Sequence, residues 1–149
     1  MIKLYDMIGG RNMKIYIAAS WKHQHAVEML TNLLEERGHT ILSWLREGRP
    51  EEAFLSKKDL VNFIKSDIGK QVFDFCVTSV RNADLIIYVG PSGCDAWAEI
   101  GMAYGMGKPI FGLLAKSEDV GMMRHMIIEW FQSVTALLEN VDKFSKEMK

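Results

Sequence analysis

Only two cysteines, Cys76 and Cys94, occur among the 149 residues, too few for a disulfide framework or a cysteine-rich zinc cluster. Both are expected to be reduced thiols, and Cys94 has no histidine near it in sequence to activate it as a nucleophile. The four histidines, His23, His25, His39 and His125, show no metal-ligand spacing and read as surface or cap residues. No metal and no cofactor are expected. An excess of one charge is also missing: 18 basic side chains stand against 19 acidic ones, for a net charge of -1. That balance leaves no electrostatic footprint for a nucleic acid polymer or an anionic membrane. No apolar run approaches the roughly 20 residues of a membrane span, and no signal-peptide pattern opens the chain, so a cytoplasmic address is expected. Internal repeats and low-complexity tracts are absent as well.

What remains has the composition of an ordinary globular domain, 48% hydrophobic and 25% charged, and is long enough to bury a real core. Residues 1-12, with Gly9 and Gly10, read as an N-terminal extension without assigned function. Residues 13-149 read as one domain in which strand and helix patterns alternate, the signature of βαβ units and a parallel sheet. Met13 to Ala19 is the first strand. Gln24 to Arg37 follows with Val27, Leu30, Leu33 and Leu34 at helical spacing, and Gly38 is a natural helix stop. Thr40 to Trp44 reads as a short strand, and the charged segment Arg46 to Lys58, with Gly48 and Pro50, as a loop over the site. Asp59 to Arg81 is helical with an interruption near Gly69. A strand over 83-89, a helix through Gly105 and a strand from Pro109 to Leu114 come next. Met122 to Glu139 predicts an amphipathic helix that buries Met126, Ile127, Trp130, Val134, Leu137 and Leu138.

The residues that carry chemistry follow the run Ala83 to Val89, whose apolar, β-branched character marks a strand buried on both faces. There the chain reads Gly90-Pro91-Ser92-Gly93-Cys94-Asp95 and enters a helix. With a helix start near Asp95, Asp95 and Glu99 lie four residues apart and share a face over the C-terminal edge of the sheet, where open α/β sheets bind small ligands. Asp95 also suits a helix N-terminus for its charge alone. Trp21 and the methionines Met102, Met106, Met122, Met123 and Met126 have competing readings as core or interface packing.

Taken together, several of these segments resemble the nucleoside 2-deoxyribosyltransferase-like superfamily. The segments are Tyr16-Ile17-Ala18-Ala19-Ser20-Trp21, the Gly38-His39 turn, Asn82-Ala83-Asp84, and Pro91-x-Gly93-x-x-Ala96-x-x-Glu99-x-Gly101 followed by Gly107-Lys108-Pro109. The similarity spans about residues 13-140 and is greatest to a branch of small bacterial and phage proteins. It implies a doubly wound, mainly parallel sheet with helices on both faces, a flavodoxin-like three-layer sandwich. It also implies cleavage or transfer at the N-glycosidic bond of a (deoxy)nucleoside or nucleoside monophosphate, with Glu99 at the position of the glutamate nucleophile. Such a carboxylate traps the oxocarbenium-like sugar carbon, as in retaining glycosidases.

A second acid is needed to protonate the departing base, and Asp95 is the nearest candidate. The position of the family's further aspartate is Cys76 here, with Asp74 the closest carboxylate; two residues on a helix turn a side chain by about 200°. Ser20 is placed to bond a sugar or phosphate oxygen and Trp21 to stack on a base. Gly90, Ser92 and Gly93 form a turn suited to a 5′-phosphate at a helix N-terminus. The partner implied is a small nucleoside or nucleotide, and the family's habit of completing sites between subunits implies a homodimer or higher homo-oligomer. The alternative reading is a non-catalytic nucleotide-binding or sensing module of the same fold, which the departure at Cys76 favours.

Overall fold

The computed structural model describes residues 9-47 and 56-148. Five strands form one sheet in the order β2-β1-β3-β4-β5, with β1 Lys14–Ala19, β2 Thr40–Ile41, β3 Leu85–Val89, β4 Ile110–Leu113 and β5 Glu129–Phe131. Every pairing is parallel, so each strand must be reached by a crossover. The helices α1 Gln24–Glu36, α2 Lys57–Lys65, α3 Asp67–Asn82, α4 Cys94–Gly105 and α5 Val134–Glu147 supply most of that return path. This is the doubly wound three-layer α/β arrangement of the flavodoxin type. Among the described residues no helix is long and apolar enough to cross a membrane.

Strand periodicity sorts the side chains into two buried layers. Val89, Leu113 and Phe111 belong to one face. There Val89 and Leu113 border Leu30 and Leu33 of α1, and Phe111 stacks edge-on with Phe131 at 5.4 Å and with Phe144 of α5 at 5.5 Å. The opposite face carries a row in register across four strands, Ala18, Tyr88, Gly112 and Trp130. Its two large rings meet edge-on, 5.6 Å apart. Gly112 has to lack a side chain, because a Cβ there would come 2.6 Å from Cε3 of Trp130. Tyr16, two residues before Ala18, faces the same side, beneath α3 and α4.

Local signals place most boundaries. Gly38 takes φ +88° after α1, a conformation that favours glycine. Ser66 separates α2 from α3, with ψ 163° and its hydroxyl accepting the Gly69 N–H at 3.1 Å. The expected interruption therefore falls three residues before Gly69, whose own place is set by the Phe63 and Ile64 carbonyls packed against it.

Three expectations change. The second strand ends at Ile41, and Trp44–Arg46 is a 3₁₀ turn with Trp44 Nε1 donating to the Ile17 carbonyl at 2.8 Å. The predicted helix over Met122 to Glu139 is instead a 3₁₀ turn Met122–Met126, the edge strand β5, and α5 beginning at Val134; Val134 itself is exposed. His39, expected at the surface or as a cap, is buried and accepts the Met13 N–H on Nδ1 at 3.3 Å. Of the predicted cover loop, residues 48-55 lie outside the described residues, as do residues 1-8 of the extension. Its last residues join the domain: the Arg11 N–H donates to the Ser145 carbonyl at 3.2 Å, and Thr40 Oγ1 bonds Asn12 Oδ1 at 3.3 Å.

Candidate active site

Strand order fixes where a ligand can sit. From β1 the chain moves outward to β2, then returns to the other side of β1 for β3, so the loops after β1 and β3 diverge at their C-terminal ends. The crevice between them is the position where doubly wound sheets take ligands. Ser20 and Trp21 follow β1, and Gly90 to Gly93 follow β3 and lead into α4.

Glu99 lies in the second turn of α4 and is largely buried. Burial raises its pKa to about 7, the Asp95 charge adds to the rise, and interaction with the Tyr16 hydroxyl opposes it. Asp95 is exposed in the first turn of the same helix, and its influence on Glu99 fits the shared face expected from their spacing. Tyr16 reaches this spot from β1 and Cys76 from α3. The Tyr16 side chain is wholly buried. Among the described residues its hydroxyl has no partner in full hydrogen-bond geometry, yet it is near enough to Glu99 and Cys76 to couple to both. Burial first, then the Glu99 and Cys76 charges, push its pKa well above the usual tyrosine value. The Cys76 thiol is raised to about 11, mainly by burial, with the Tyr16 hydroxyl opposing and Glu99, Asp95 and Glu47 adding to the rise. The residue at the departure position therefore stands beside Glu99, but as a neutral thiol.

Asp74 is not part of this group. Helix α3 runs unbroken from Asp67 to Asn82, so Asp74 points away from Cys76 and pairs with Lys70 at 2.7 Å on the exposed surface. Ser20 caps the short 3₁₀ turn Trp21–His23, accepting the Lys22 N–H at 3.3 Å. Trp21 is half-buried against Trp44, ring centroids 4.7 Å apart and tilted by 57°. Both lie at the mouth of the crevice, with one face of Trp21 already occupied.

The Gly90 to Gly93 turn contains a cis Gly90-Pro91 peptide and carries a polar chain that sequence reading did not find. Ser92 Oγ donates to Tyr88 Oη at 3.0 Å, and Tyr88 Oη donates to the Glu118 carboxylate. Glu118 also accepts the Ala115 N–H at 3.3 Å. Tyr88 packs on Trp97 of α4 at 4.8 Å; burial, then its bond to Glu118, raises the phenol to about 12. Among the described residues no cluster of side chains is arranged to hold a metal ion. Cys94 is exposed at the start of α4, its thiol 3.7 Å from Asp95 Oδ1.

A parallel α/β sheet with a buried carboxylate at its switch point is the class of structure defined so far, and solved structures narrow it. The chain is similar to the CMP N-glycosidase of Clostridium botulinum, with 23% identity and a TM-score of 0.56, over 87% of this chain and 98% of that one. It is similar also to the 2-deoxyribosyltransferase of the psychrotolerant bacterium Bacillus psychrosaccharolyticus, with 22% identity and a TM-score of 0.56, over 83% and 89% of the two chains. The protein thus shares its fold with an N-glycosidase and a 2-deoxyribosyltransferase, in keeping with the resemblance carried by its motifs. No family model matches the chain, and no curated protein sequence matches it.

Proposed function

We propose that the protein cleaves or transfers at the N-glycosidic bond of a nucleoside or nucleoside monophosphate, with Glu99 as the nucleophile. The observation that carries this reading is the largely buried Glu99 carboxylate, raised to about 7 beside Tyr16, at the switch point of the sheet. A desolvated carboxylate is poorly stabilised as an anion, and bond formation to the sugar removes that charge. Attack on C1′ breaks the C1′–N bond and its electron pair leaves with the base. Asp95 is the carboxyl group placed nearest to pass a proton to that base, or to hold a sugar hydroxyl. Water or a second base then attacks C1′ and frees Glu99, giving hydrolysis or transfer respectively. The names of both matched enzymes denote chemistry at this sugar carbon, which supports the reading through the shared fold.

A second reading, a binding or sensing module without turnover, draws support from Cys76: a thiol raised to about 11 stands where the family resemblance calls for an aspartate. Incubation with deoxynucleosides and their 5′-monophosphates, followed by chromatography for free base, separates the two. Base release that Glu99→Ala lowers by about 1,000-fold or more is expected for a removed nucleophile. Ligand binding with no release from the wild type would establish the module instead.

A further inference from the structure

Glu118 stands after β4 and turns its carboxylate onto the turn after β3. A Cβ at Gly90 would lie 2.6 Å from Glu118 Cδ, so the glycine is required for this approach. The carboxylate is held there by the Tyr88 hydroxyl and the Ala115 N–H. Among the described residues no ion pair includes Glu118. The Arg124 guanidinium lies 5.8 Å from the centre of the Trp130 ring, a ring that itself packs edge-on against Tyr88. At the other end of the turn, none of the described residues lies within 4 Å of a Cβ built on Gly93, which caps α4. The turn is therefore open towards the helix start but carries fixed negative charge at Gly90.

This geometry bears on which substrate the proposed site takes, and the inference rests on that site. Gly93 is six residues before Glu99, about 9 Å back along the helix axis. The Glu99 side chain leans towards the helix start, and a furanose bonded to it spans much of what remains, bringing its 5′ carbon to the Gly90 to Gly93 turn. We propose that Glu118 is a specificity-determining residue that admits nucleosides with a free 5′-hydroxyl and rejects their 5′-monophosphates. A hydroxyl can donate to the Glu118 carboxylate or bond Ser92. A phosphate would meet a carboxylate of like charge whose partners among the described residues are neutral groups, which costs affinity.

Titration calorimetry with deoxynucleosides and their 5′-monophosphates tests this on the wild type and on Glu118→Gln, which keeps the shape and an acceptor for Tyr88. The wild type is expected to bind nucleosides at least about 10-fold more tightly than the monophosphates, and Glu118→Gln to close that gap chiefly by tightening the monophosphates. A wild-type preference for monophosphates, an unchanged ratio in the variant, or no binding of either ligand class would overturn it. Base release is measured on the same samples. Nucleoside selectivity without release would remove the catalytic reading and leave this one standing, whereas release from monophosphates in preference to nucleosides would do the reverse.

Discussion

Glu99 is an expensive residue for the fold to carry, and its cost has a definite pH dependence. Its pKa in the folded protein, about 7, lies above the ordinary 4.5, so the native state holds its proton more tightly than the unfolded chain does. Stability from this group is full below pH 4.5 and declines as pH rises through 7, where the buried anion must be carried without its proton. The shift corresponds to roughly 3 kcal/mol at most. Glu99→Gln should therefore leave urea stability nearly unchanged at pH 4 and raise it by about 1–3 kcal/mol at pH 8; equal effects at the two pH values would contradict the buried anion. Catalysis runs the other way, since the nucleophile must be ionised, and kcat/KM of the wild type should climb to a plateau above pH 7. The protein thus gives up stability over the pH range in which the proposed nucleophile becomes available.

At the scale of elements, the row Ala18, Tyr88, Gly112 and Trp130 ties β4 and β5 to the site-bearing strands. Gly112→Val is expected to destabilise the fold by about 1–3 kcal/mol through overpacking against Trp130 and to red-shift tryptophan emission; a neutral effect on both would show that Trp130 does not depend on this gap. The same elements show what the residue pattern made legible. Strands β1 and β3 could be read because their runs are long and apolar, and Asp95 and Glu99 because both lie on one helix, where spacing alone sets their facing. Tyr16 and Cys76 come to Glu99 from another strand and another helix, so only the packing of three elements brings them together. Tyr16 left one trace, a tyrosine alternating with Ala18 in a strand that is otherwise aliphatic after Lys14. Glu118 left none, being a loop glutamate among other polar residues. Strand β5 was hidden because it is three residues long and its Trp130 continues the helical spacing of Met126 and Ile127, although Ser133, which accepts the Ala136 N–H at 3.1 Å, marked where α5 starts.

For the molecule as a whole, α2 and the outer side of α3 hold apolar side chains away from the core. Ile64, Ile68 and Phe73 are 60%, 54% and 64% exposed, and α2 buries none of its residues. Apolar faces of this kind mark association surfaces, and a second copy of the chain is the expected cover. Sedimentation should give a dimer, and the double substitution of Ile64→Glu and Phe73→Glu a monomer with an unchanged far-ultraviolet spectrum; a monomeric wild type would remove the expectation. The two thiols stand on opposite sides of a simpler divide. Cys76 is half-buried and held as a protonated thiol, whereas Cys94 is exposed at the rim of the crevice on the helix that carries Glu99. A thiol-directed dye should therefore react first at Cys94, at the rim of the proposed site, and its colour or anisotropy becomes a meter of occupancy that needs no engineered cysteine.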